Sequence, residues 1–117
     1  MEEIIDIDFT PEFKRSVRTL AKKYRHIRSD IQPLIDQLEI GEIVGEKISG
    51  VKYSVFKVRV INSDIKKGKS AGYRVIYYLK SSTNIILITI YSKSDKSDIS
   101  TTKIRTIINE YDKNRGA

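Results

Sequence analysis

At 117 residues and 39% hydrophobic content the chain is long enough for one domain with its own core, and residues 1–117 read as a single domain. It has no cysteine and one histidine, His26, which excludes disulfides and thiolate metal sites and leaves no material for a catalytic triad or a histidine metal centre, so neither metal nor cofactor is implied. The formal charge of +7 is concentrated: between Lys47 and Arg74 stand eight basic residues against one acid, Asp64, and the rest of the chain sums to zero.

The N-terminal stretch is acidic (Glu2, Glu3, Asp6, Asp8), without the basic and then apolar run of a signal peptide. Apolar runs fall far short of the roughly 20 residues a membrane span needs, so a soluble cytoplasmic protein without membrane contact is expected.

Ile4 to Phe9 alternates weakly and reads as a short strand. Thr10-Pro11-Glu12 then has the form of a helix start: a capping hydroxyl, a proline at the first helical position and an acid at the positive end of the dipole. Phe13, Val17, Leu20, Ala21 and Tyr24 follow at helical spacing. A break spans His26 to Ser29, with His26 as a surface or capping residue. Ser29 or Asp30 caps a second helix, with Pro33 in its first turn, Ile31, Leu34, Ile35 and Leu38 on its apolar face and Gly41 at its end. The two helices form an antiparallel hairpin.

After Gly45 the period changes to two. Lys47 to Ser49 is a short strand, and Tyr53 to Ile61 a longer one with Phe56, Val58 and Val60 on one side and Lys57 and Arg59 on the other. Asn62 to Ala71 is a lysine-rich loop. Gly72 to Lys80 is a strand, Ser81 to Asn84 a turn, and Ile85 to Tyr91 a strand apolar on both faces and so central. Ser92 to Asp98 connects to a last helix from about Ser97, burying Ile104, Ile107, Ile108 and Tyr111; Asp95 and Asp98 read as its caps. The order is β-α-α-β-β-β-β-α: an α+β domain with a helical hairpin on a mostly antiparallel twisted sheet and a C-terminal helix.

The charge run points to a polyanion, because cations that neutralise phosphates release condensed counterions. Alternation places Lys57 and Arg59 on one strand face and Arg74 beside them on the next strand, on the side opposite the core. Clustered cations lower the proton affinity of any lysine among them, and arginine can brace a phosphorane-like transition state with its fork of donors. RNA cleavage by attack of the substrate's own 2′-OH, without a metal, is within reach of such a set. Lys66, Lys67 and Lys69 read as a phosphate clamp in the long loop, or else as charge that keeps the loop soluble. Tyr73 and Tyr77 share a face with Val75 and belong to the core; Tyr78 lies on the Arg74 side as a surface candidate. Tyr91 either stacks on a base or caps the core, Lys93 either contacts a phosphate or is a loop charge, and Lys96 joins them as an RNA-binding candidate.

Phe56-Lys57-Val58-Arg59, then Gly72-Tyr73-Arg74-Val75-Ile76-Tyr77-Tyr78, then Ile88 to Ile99 with its Tyr91-Ser92-Lys93-Ser94-Asp95-Lys96 core, resembles the RelE/ParE toxin superfamily and within it the RelE/HigB branch. The element order resembles it too. The resemblance implies a toxin of a type II toxin–antitoxin system, a ribosome-dependent endoribonuclease (an mRNA interferase) that cuts mRNA in the A site and so inhibits translation. By position it makes Lys57 the base, Arg59 a phosphate contact, Arg74 the stabiliser of the phosphate under attack, and Lys93 the basic residue after the last strand. Some members carry a stacking tyrosine at the start of the last helix; Ser100 stands there in this chain. The implied partners are a cognate antitoxin, the ribosome and mRNA, and operator DNA only as the toxin–antitoxin complex. Two alternatives stay open: a ParE-like DNA gyrase inhibitor, and a non-catalytic relative that binds RNA or antitoxin.

Overall fold

The computed structural model describes residues 4–65, 71–96 and 98–114. Among them the elements run β1 (Asp6–Phe9), α1 (Pro11–Ala21), α2 (Ile27–Glu39), β2 (Glu46–Lys47), β3 (Val55–Val60), β4 (Tyr73–Ser81), β5 (Asn84–Ser92) and α3 (Thr101–Asn114). This is an α+β fold with three helices and one five-stranded mixed sheet, in the order β1-β5-β4-β3-β2. The parallel pair is β1 with β5; the other three pairings are antiparallel. β5 sits between β1 and β4, as its two apolar faces require. No helix among the described residues is long and apolar enough to cross a membrane.

Alternation along the strands sends side chains into two separate cores. Val60, Tyr73, Val75, Tyr77, Ile85 and Leu87 pack against Phe13 and Val17 of α1 and Ile27, Ile31, Leu34 and Leu38 of α2. Val55, Ile76, Ile86 and Ile88 pack on the other face against Ile104, Ile107, Ile108 and Tyr111 of α3. The expectation of one core face and one charged face is therefore corrected. The second face is sealed by α3 over much of its area, and the cations occupy only what the helix leaves open.

One residue ties the layers together. The Thr10 hydroxyl accepts from the Phe13 amide at 2.9 Å, capping α1, and donates to the Ile88 carbonyl at 2.6 Å. That carbonyl belongs to a bulge: Ile76 pairs with Thr89 but Tyr77 with Leu87, so Ile88 is the extra residue. Ile86 and Ile88 share the α3 side by ordinary alternation, and past the bulge the phase changes, so that Ile90 joins Ile85 and Leu87 in the other core.

Two helix starts differ from expectation. α2 begins at Ile27, with His26 at its N-cap position, because Tyr24 and Ile27 are both drawn into the core. Pro33 thus lies inside the helix rather than in its first turn; it sits on the exposed side, where it costs one i→i−4 hydrogen bond and crowds the preceding turn. α3 begins at Thr101 and is capped by Ser100, whose Oγ accepts from the Lys103 amide at 3.1 Å.

Candidate nucleic-acid interface

Lys57, Arg59, Arg74 and Lys93 come together. With Gly45, Glu46 and Val58 they line one cleft of about 400 Å³, on the part of the second sheet face that α3 does not cover. β3 contributes Lys57 and Arg59, β4 contributes Arg74, and Lys93 follows β5. Register fixes the arrangement: Arg59 stands directly opposite Arg74, and Arg74 directly opposite Tyr91. Like charges directly opposed on adjacent strands cost stability, so an Arg–Arg pair is a feature that folding alone does not favour.

Two glycines make the cleft possible. Gly45 has φ +95°, in the left-handed region that favours glycine, and a Cβ there would lie 2.5 Å from the Lys57 carbonyl oxygen. A Cβ at Gly72 would lie 2.1 Å from the Val60 carbonyl oxygen. The Gly72 carbonyl also accepts from the Lys93 amide at 2.9 Å, fixing where the chain leaves β5. In Gly72-Tyr73-Arg74 each residue thus has its reason: close approach, core filling, and charge beside Arg59.

Arg74 is only 7% exposed, and its guanidinium donates to the Tyr73 carbonyl at 3.3 Å. Arg59 is exposed. Lys57 is partly buried and donates to Asp98 Oδ1 at 3.3 Å. The Tyr91 hydroxyl donates to the same oxygen at 3.3 Å, and the Ile99 amide at 2.8 Å. The Ile99 hydrogen bond, followed by Lys57, holds the Asp98 carboxyl below the usual carboxylate range, although partial desolvation opposes them. Burial first, then the neighbouring Asp98 charge, pushes the Tyr91 phenol up to about 12.

Several expectations for single residues need correction. Tyr91 is 7% exposed, with the Lys96 ammonium 5.9 Å from its ring centroid, so it offers no open stacking face in this arrangement. Lys96 itself is exposed beside it. Tyr78 is not at the cleft: it packs edge-on to Tyr53, ring centroids 5.2 Å apart, against the core beneath α3. Asp95 and Asp98 do not cap α3, since Ser100 does; Asp95 instead pairs with Lys23 at 3.1 Å. The Ser100 hydroxyl is committed to that cap. His26 donates its backbone amide to Asp64 and shares a 2.8 Å contact between its ring and the same carboxylate. Lys66, Lys67 and Lys69 lie outside the described residues.

Three features escaped the sequence reading. Glu46 lines the cleft and faces Lys57 across β2 and β3, one residue before the charge run was counted from Lys47. Asp98 was read as a cap. The segment Lys22-Lys23-Tyr24-Arg25-His26-Ile27-Arg28 carries four cations and no acid, hidden because acids elsewhere balance the chain outside 47–74. It turns between α1 and α2, and the Lys23–Asp95 pair places it beside the chain that leaves β5. A larger groove, about 500 Å³, runs between α1 and α3, but Glu12, Arg15, Lys103 and Glu110 there alternate in sign, so it gathers no field.

Chemically, the cleft can hold a phosphodiester between Arg59, Arg74 and Lys93 and offers Glu46 as a carboxylate beside it. No protein-family model matches the chain, and no curated protein matches it either.

Proposed function

We propose that this protein is a toxin of the RelE/HigB kind, a ribosome-dependent endoribonuclease that cleaves mRNA by 2′-OH attack. The observation that carries the reading is the meeting of Lys57, Arg59, Arg74 and Lys93, from three separate chain segments, in one cleft. The element order β-α-α-β-β-β-β-α supports the same reading. The 2′-oxygen attacks the adjacent phosphorus and the bond to the 5′-oxygen breaks; the leaving oxygen takes a proton from water, giving a cyclic phosphate and a 5′-hydroxyl end. Arg74, buried and held by the Tyr73 carbonyl, stabilises charge on the pentacovalent phosphorus with little reorganisation. Arg59 and Lys93 bind flanking phosphates. Lys57 donates to Asp98 rather than offering a lone pair, which favours Glu46 as acceptor of the 2′-OH proton and Lys57 as a phosphate contact. The reading also gives the protein a cognate antitoxin and an operator that only their complex binds.

The test is addition of the protein to ribosomes programmed with a defined mRNA, with RNA ends mapped by primer extension. Cuts within A-site codons are expected, none without ribosomes, and a fall of about 10²–10³-fold in rate for Arg74→Ala. Glu46→Gln should lose rate while keeping affinity. Intact mRNA with translation still running overturns the reading.

A further inference from the structure

Asp98 is a second point of interest at this corner. One of its oxygens, Oδ1, takes three donors from different parts of the chain: Lys57 Nζ from β3, Tyr91 Oη from β5, and the Ile99 amide. The carboxylate does no capping that Ser100 leaves undone. Its side chain is 65% exposed, so it can turn into water without losing packed surface. Two of its three contacts are long, 3.3 Å each, and such pairs at a wet surface contribute little.

We propose that Lys57 Nζ, Tyr91 Oη and the Ile99 amide form a seat for an anionic oxygen of a phosphate ligand, which the Asp98 carboxylate occupies as an internal competitor. This rests on the reading of the cleft as a phosphodiester site and extends it to a defined subsite. A carboxylate oxygen and a non-bridging phosphate oxygen ask for the same donors, so one replaces the other at these positions. The incoming phosphate belongs to a polyanion that also meets Arg59 and Arg74, which line the same cleft as Lys57. Tyr91 remains a donor throughout the neutral range because its phenol stays protonated up to about 12. Asp98 thereby sets a threshold: isolated anions compete with it poorly, whereas an extended chain of phosphates displaces it.

Isothermal titration of the purified protein with inorganic tripolyphosphate, and separately with an uncleavable 2′-O-methyl oligoribonucleotide at the same ionic strength, reads the competition directly. Asp98→Asn keeps an acceptor for the Ile99 amide and removes the charge. It should tighten both probes by about five- to tenfold. Asp95→Asn removes one charge nearby in sequence, where the carboxylate pairs with Lys23 instead of the seat, and should change Kd by less than about twofold. In a Lys57→Gln background the Asp98→Asn substitution should give no gain. The inference is overturned if Asp98→Asn does no more than Asp95→Asn, if its gain survives Lys57→Gln, or if tripolyphosphate binds none of the variants. Should the tripolyphosphate pattern hold while programmed ribosomes show no cleavage, the seat stands and the nuclease reading falls. Cleavage without that pattern removes the seat alone.

Discussion

The second face of the sheet is two surfaces made from the same strands. At one end Val55, Ile76, Ile86 and Ile88 are fully buried under α3. At the other end Arg59 and Arg74 face each other across β3 and β4, lining an open cleft. Alternation is the same in both. The difference is where α3 begins: Ser100 caps it at Thr101, and the preceding residues, Asp98 and Ile99, lie beside Lys57 and Tyr91 instead of continuing the helix. One end is organised to exclude water and the other to hold charge, so substitutions should separate them, the first by stability and the second by binding.

The largest effect is expected where both ends depend on one backbone contact. Gly72→Ala forces a Cβ to within 2.1 Å of the Val60 carbonyl oxygen, and backbone on both sides must shift. A loss of more than about 3 kcal/mol, or failure to fold, is expected in urea unfolding. A fully stable variant would show that β3 and β4 part easily there. Next comes the sealed end. Ile76 is fully buried, and Ile76→Ala should cost about 2–5 kcal/mol by the same measurement while leaving polyanion affinity within about twofold. A selective loss of binding instead would mean that the two ends are not separable.

Much of the fold was legible because period and punctuation agree. Thr10-Pro11 marks α1, Ile85 to Tyr91 marks a central strand, and alternation put Tyr73 and Tyr77 in the core, where both are fully buried. Alternation also put Lys57 and Arg59 on the Arg74 side, and they share its cleft. It did not show how much of that side α3 would cover, because a helix's reach is set by tertiary packing. Tyr78 was misjudged for that reason. Asp98 was unreadable as a partner of Lys57, 41 residues away, because nothing in either neighbourhood marks such a pair. Glu46 was missed because its place opposite Lys57 depends on the turn at Gly45, where glycine alone admits the close approach to β3.

A third test uses alkali to compare the closed core with the boundary of the open end. Burial pushes both Tyr77, in the core beneath α1 and α2, and Tyr91, beside Arg74, up to about 12. Folding therefore favours the protonated phenol at both sites. Their contribution is complete below the unfolded value of about 10 and is lost as pH rises from there toward about 12. Thermal melts across that window should show falling stability, and the fall should be shallower for Tyr91→Phe. An unchanged slope in that variant would mean that the Tyr91 phenol titrates alike in the folded and unfolded chain.

The smallest stability change, and the sharpest contrast, is expected at Arg59. It is exposed and directly opposed to Arg74, so Arg59→Ala relieves a like-charge contact and removes little packing. Stability should hold or rise by a few tenths of a kcal/mol, about the size of a cross-strand charge effect. Affinity for a 2′-O-methyl oligoribonucleotide should fall, and the plot of log affinity against log salt should lose close to one unit of slope, as expected when one phosphate contact disappears. The two readouts must move in opposite directions. If stability and binding fell together, Arg59 would be part of the scaffold and the open end would differ from the sealed one only in polarity. If stability rose with no change in the salt slope, the Arg–Arg pair would be a cost of this fold with no anion to offset it.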